Sequence, residues 1–200
     1  MKLYYSPGAC SLSPHIVAEE AGIPLELVRV DIKSHQTEQG GDFYAVNPKG
    51  YVPALQLDDG RVLTEGPAVV QYLADLAPDS GLAPPPGSFE RYRLQEWLTF
   101  VGSELHKNFR PLIRGAPEAT MDEARQRILD RLAYVDSQLE ADYLMGDVFT
   151  AADAYLFVTL TWVRFLKLDI SHNKRVEAFY DRVRARPKVL AAMRDEGLNV

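Results

Sequence analysis

Apolar residues follow two different rhythms along this chain. In the first third they come in short runs or alternate with polar ones. Residues 2–5 (KLYY) and 25–30 (LELVRV) read as strands, the second with the two-residue repeat of a half-buried one. Residues 12–21 read as a helix that stops at Gly22, with Pro24 beyond it. Residues 42–46 suggest a short helical turn. Residues 54–57 and 61–63 read as two strands joined by Asp58-Asp59-Gly60, a hairpin signature. A helix with Pro67 at its start follows over 67–76. The order β-α-β-α-β-β-α fits one right-handed βαβ unit, a hairpin and a closing helix on a small mixed sheet.

The rhythm changes after residue 77. Pro78, Gly81, Pro84, Pro85, Pro86 and Gly87 fall within one short stretch, the best linker in the chain. Beyond it, Leu94, Leu98, Val101, Leu105, Phe109 and Leu112 step by three or four, as one face of a single long helix does. Ala124, Ile128, Leu132, Val135 and Leu139 repeat the step. Residues 151–166 are apolar nearly all round, which predicts a central buried helix. Residues 176–184 and 189–196 complete the set. The expected organisation is an α/β domain over 1–77, a linker over 78–87 and an all-α domain over 88–200.

Composition narrows the function. The net charge is −6, which argues against an electrostatic nucleic-acid footprint. One cysteine excludes an intrachain disulfide and a CxxC redox pair. No apolar run is long enough to span a membrane and no secretory leader is visible, so the cytoplasm is the expected compartment. The four histidines lack close ligand spacing, so no metal is expected.

Candidate chemistry starts at Cys10. It follows the turn signal Pro7-Gly8 and precedes a helix that Ser11 or Ser13 could cap, with Pro14 in the first turn. Backbone N–H groups at a helix start favour a thiolate; a small buried hydrophobe is the competing reading. In Asn47-Pro48-Lys49-Gly50-Tyr51-Val52-Pro53, a cis bond before Pro53 would leave the Val52 backbone free for an extended peptide, against an ordinary trans turn. Thr64-Glu65-Gly66-Pro67 opens a helix: its N–H groups suit an anion and Glu65 suits an ammonium, with simple capping as the alternative. Thr99, Ser103, His106 and Arg110, flanked by Lys107, make a polar stripe beside the long helix's apolar face, where a solvated face is the competing reading. Thr150 and Asp153 form a capping box, which is folding chemistry.

Taken in order, SPGACSLSPHI, NPKGYVPAL, LTEGP, SELHK and FTAADAYLF resemble the bacterial beta-class glutathione transferases over essentially the whole chain. The resemblance implies a thioredoxin-like N-terminal domain, an all-α C-terminal domain and a homodimer whose sites borrow residues from the neighbouring subunit. Glutathione would be the co-substrate, with no metal. Cys10 would contact the glutathione sulfur, with Ser11 beside it. Val52, before cis Pro53, would pair with the cysteinyl part, and Glu65 and the Gly66 N–H would hold the γ-glutamyl end. Thr99, Ser103, His106 and Lys107 would come from across the interface, with His106 near the sulfur. Three positions depart from the usual pattern. His35 stands where a Lys usually meets the glycyl carboxylate, which would make that contact pH-dependent. Gly66 replaces a Ser, and Thr99 an Asn.

The implied activity is attack of the glutathione thiolate on a small hydrophobic electrophile. Rival readings are a glutathione-dependent thiol-disulfide oxidoreductase or reductive dehalogenase acting through Cys10, and a non-catalytic binder of glutathione or apolar ligands. Phe109, Leu112, Tyr155 and Trp162 are the candidates for lining the electrophile pocket.

Overall fold

Strand β1 (Lys2–Tyr5) is the centre of a five-stranded mixed sheet of order β3-β2-β1-β4-β5. The computed structural model describes residues 1–199. Helix α1 (Leu12–Ala21) carries the chain to β2 (Glu26–Asp31), which lies parallel to β1 with Tyr4 opposite Val28. A two-residue strand β3 (Gln36–Thr37) then pairs with the edge of β2, an element too short to show in the sequence pattern. The helical turn expected at 42–46 is one 3-10 turn, Phe43–Ala45, with the Asp42 carboxylate accepting from the Tyr44 N–H. Strands β4 (Ala54–Gln56) and β5 (Val62–Thr64) form the expected hairpin, and α2 (Gly66–Asp75) closes the unit.

Strand alternation sorts the core. Tyr4, Val28, Val30, Phe43, Val52 and Ala54 form one buried apolar cluster. Leu3 and Leu55, paired across β1 and β4, point to the other face and are fully buried. Cys10 and Val52 are therefore carried by segments whose neighbours lie in a packed core.

The helical part comprises α3 (Phe89–Phe100), α4 (Lys107–Arg114), α5 (Glu118–Gln138), α6 (Ala151–Phe165) and α7 (Lys174–Arg184). The single long helix expected from Leu94 to Leu112 is interrupted: Val101–His106 winds as a π-helix between α3 and α4. A π turn widens the spiral while keeping both flanking helices on one path, so the three- and four-residue rhythm conceals it. Helix α6 is buried along most of its length, as its all-round apolar sequence requires. Asp153 receives the Thr150 N–H and hydroxyl at 2.7 Å each and the Leu144 N–H at 2.8 Å.

Helix α8 (Pro187–Asp195) departs from the expected boundary. The chain divides into one unit of Met1–Ala83 together with the segment from Ala185, and a second of Pro84–Arg184. The sequence reading assigns all of 88–200 to the helical domain. Helix α8 instead packs on α1, where Arg186 grips Glu20 through two hydrogen bonds of 2.7 and 2.8 Å. A helical pattern reveals an apolar stripe but not the element that will cover it.

Candidate active site

Cys10 lies two residues before α1, in a loop held by local hydrogen bonds. Ser11 Oγ accepts from the Ser6 N–H at 3.1 Å and donates to the Ser6 carbonyl at 3.3 Å. Ser11 therefore clamps the loop instead of capping the helix, and Ser13 donates back to the Cys10 carbonyl at 2.8 Å. The Cys10 thiol donates to the Val52 carbonyl at 3.2 Å. Burial pushes this thiol up to about 12, helped by the Glu65 and Glu196 carboxylates and opposed by the Cys10 and Ser11 amides. The expected depressed thiol is thus corrected. The helix-start amides are present, but burial among acceptors and anions outweighs them.

The peptide bond between Val52 and Pro53 is cis. The Val52 N–H makes no hydrogen bond among the described residues. Asn47 braces the turn ahead of it: its amide donates to the Tyr51 carbonyl at 2.7 Å, and its side-chain oxygen accepts from the Lys49 N–H at 3.2 Å. His35 abuts the same turn. Its Nδ1 lies 3.1 Å from the Gly50 carbonyl, so Nδ1 carries the proton and donates, leaving Nε2 for another partner. The ring lies against Tyr44, with centroids 4.5 Å apart. Gly50 is required here: at φ +70 a Cβ would meet Tyr44 at 2.7 Å.

Glu65 precedes α2 with φ 69 and ψ 115, a conformation that L residues rarely adopt. It leaves the Gly66 N–H at the helix start without a hydrogen bond among the described residues. The Glu65 side chain makes no cap; its Oε1 meets the Lys49 ammonium at 2.5 Å, and the same ammonium donates to Thr64 Oγ1 at 2.7 Å. Val52, Glu65, Gly66, His35, Ser11 and Cys10 all belong to the first unit.

Thr99, Ser103, His106 and Lys107 belong to the second unit, along α3, the π turn and the first residue of α4. Thr99, Ser103 and Lys107 are exposed, and the Thr99 hydroxyl donates back to the Gln95 carbonyl at 2.7 Å. His106 corrects the stripe reading. Its Nδ1 is 2.6 Å from the Tyr155 hydroxyl and its ring meets Trp162 edge-on at 4.8 Å. Burial lowers its pKa, so the ring is neutral at pH 7. Among the lining candidates, Phe109 is fully buried, which removes it from any accessible pocket; Leu112 and Trp162 are half-buried.

A thiol, a free peptide backbone and a fixed carboxylate on one thioredoxin-like unit agree with the comparisons. Residues 8–76 match the family described as Glutathione S-transferase, N-terminal domain, and residues 95–187 match Glutathione S-transferase, C-terminal domain. The chain belongs to the glutathione S-transferase family. It is 46% identical to Glutathione S-transferase GstA of Escherichia coli O157:H7, over 99% of this chain and 100% of that one. It resembles the ternary complex of BphK, a bacterial GST, with a TM-score of 0.97 at 55% identity over 99% of this chain and 100% of that one. It also resembles the bacterial beta-class glutathione S-transferase of Sphingomonas chungbukensis, with a TM-score of 0.96 at 44% identity over 100% of both.

Three side-chain roles in this glutathione S-transferase escape sequence reading. Lys49 pairs with a residue sixteen positions away. Tyr155 fixes His106 from another helix. Glu196, buried just beyond α8, accepts from the Gly8 N–H at 2.9 Å and from His15 at 3.2 Å, tying the Cys10 loop to the C-terminal segment. His15, Glu19 and Asp195 also place ligand-type atoms within 4.8 Å of one another, contrary to the reading that no histidine has such neighbours. His15 is already engaged by Glu196. No helix among the described residues is long and apolar enough to cross a membrane.

Proposed function

We propose that this transferase binds glutathione along its first unit and conjugates it to small hydrophobic electrophiles. The free Val52 N–H and its carbonyl offer a strand-like edge to the cysteinyl residue. Glu65 takes the γ-glutamyl ammonium, and the Gly66 N–H at the α2 start takes the neighbouring carboxylate. His35 Nε2 faces the glycyl end. In a homodimer, the second subunit contributes Thr99, Ser103, His106 and Lys107, with Lys107 supplying positive charge and His106 a neutral imidazole.

The observation that carries this reading is the Val52 backbone, with an N–H free of any partner among the described residues, flanked by Cys10 and served by the Glu65–Gly66 helix start. In the reaction the glutathione S–H gives up its proton and the thiolate attacks an electrophilic carbon. A sulfur–carbon bond forms and a carbon–halogen bond breaks when the substrate is a haloarene. The halide leaves with its electron pair. The site acts by lowering the ionisation cost of the sulfur and by holding it in position. A neutral His106 stabilises the thiolate through a hydrogen bond, not through charge.

The route through Cys10 as nucleophile is disfavoured by the thiol itself. Desolvation pushes it up to about 12, and its proton is held by the Val52 carbonyl. Titration calorimetry with S-methylglutathione tests the docking reading. Wild type and Cys10→Ala are expected to bind alike, while Glu65→Gln loses about tenfold or more in affinity. Equal binding by all three sinks the assignment of Glu65.

A further inference from the structure

The described fold contains an ammonium bound where the proposed site expects one, and it is the protein's own. Lys49 Nζ sits between Glu65 Oε1 at 2.5 Å and Thr64 Oγ1 at 2.7 Å. Two oxygens from one segment converge on one cation. The Glu65 carboxylate is held there by a backbone at φ 69 and ψ 115, a strained conformation of the kind that clusters at ligand clamps. Beside it the first N–H of α2 faces the opposite kind of charge. An ammonium and a carboxylate on neighbouring atoms, as in an α-amino acid, match this pair of groups. The lysine ammonium reproduces half of that ligand.

We infer that Lys49 is an internal occupant of the ammonium subsite, displaced when the ligand's α-ammonium enters, and that it thereby sets the selectivity of the subsite for aminated ligands. The inference rests on the glutathione reading above and adds to it a competitor from within the chain. Lys49 is suited to leave. Its backbone is pinned by Asn47, but its head is on a flexible four-carbon stem, and the Lys49 and Glu65 side chains are 45% and 66% exposed. Water reaches both ends of the pair, so exchange is fast and the penalty small. Exposed pairs of this kind correspond to roughly 1.4-fold to fivefold in affinity. A second internal donor follows the same pattern: the Cys10 thiol holds the Val52 carbonyl at 3.2 Å, the acceptor an incoming peptide N–H would use. Two recognition groups of the proposed site are thus satisfied by the protein's own donors and must exchange them for the ligand's.

The test compares two ligands on three proteins by calorimetry at pH 7 and low salt. The ligands are S-methylglutathione and its deamino analogue, in which a glutaryl group replaces γ-glutamyl, removing the α-ammonium and keeping the adjoining carboxylate. The proteins are wild type, Lys49→Met and Lys49→Arg. The quantity read is the ratio of the two dissociation constants, deamino over aminated, which cancels effects common to both ligands. Lys49→Met is expected to raise this ratio about threefold, because the aminated ligand no longer evicts a lysine. Lys49→Arg keeps a competing cation and is expected to stay within about 1.5-fold of wild type. A ratio that is unchanged or lower in Lys49→Met, with both ligands bound, overturns the inference and leaves the proposed function standing. S-methylglutathione binding to none of the three proteins overturns both.

Discussion

Cys10 and His106 show how a side chain's surroundings override its sequence context. The thiol stands at a helix start, yet it is half-buried, donates to the Val52 carbonyl and lies near two carboxylates, and desolvation pushes its pKa up to about 12. Cys10→Ala is therefore expected to keep conjugation of glutathione to an activated chloroarene within about threefold of wild type, measured by steady-state kinetics. A loss of a hundredfold or more at unchanged glutathione binding would make Cys10 part of the conjugation chemistry. His106 reads from sequence as a stripe residue whose removal disturbs no packing. The structure holds it with Tyr155 and Trp162, so His106→Ala is expected to cost about 1–2 kcal/mol in chemical denaturation as well as lowering turnover. Sequence pattern identified both residues as candidates. It could not supply their partners, because Val52 and Tyr155 reach them only through the fold.

At the scale of elements, the strands, the hairpin and most helices were legible because each has a local signal: a period, a cap or a turn dipeptide. The two-residue β3 and the 3-10 turn at Phe43–Ala45 are too short to carry a period. The π turn at Val101–His106 has no distinct composition. It nevertheless sets the direction of Lys107 and everything after it. Deleting Gly102 should let the segment wind as a regular α-helix, removing the wide turn that positions His106 and Lys107. Circular dichroism is expected to show retained helix while conjugation falls at least about tenfold; full activity in that variant would detach the π turn from function. The start of α6 makes a second element-level claim. Burial raises Asp153 to about 6 despite its three hydrogen bonds. A carboxyl whose folded pKa exceeds its unfolded one binds its proton more tightly when folded. Its contribution is thus most favourable below the unfolded pKa near 3.9 and is lost as pH rises through about 6. Relative to Asp153→Asn, wild type is expected to lose about 2 kcal/mol of stability between pH 4 and pH 7, read from urea midpoints. Parallel pH profiles for the two proteins would contradict the assignment.

For the whole molecule, the two-part organisation and the mixed sheet follow from the change of rhythm near residue 77, while the return of α8 to the first unit does not. That return depends on long-range contacts such as Arg186 with Glu20 and Glu196 with Gly8, which no local pattern encodes. The proposed shared site is likewise a property of an assembly. Mixing Glu65→Ala with His106→Ala chains should create heterodimers with one site lacking both groups and one retaining both. With exchange confirmed by mass, activity is expected to rise above the mean of the two parents; no rise places His106 outside the neighbouring site. The central claim, that the protein is a catalyst of glutathione conjugation and not a reservoir for glutathione, is tested most directly by following thioether formation from glutathione and an activated chloroarene by mass spectrometry. A glutathione thioether is expected to form at a rate that saturates in both reactants, is proportional to enzyme and exceeds the uncatalysed rate by at least about a hundredfold. Saturable glutathione binding with thioether formation no faster than in buffer would contradict that claim.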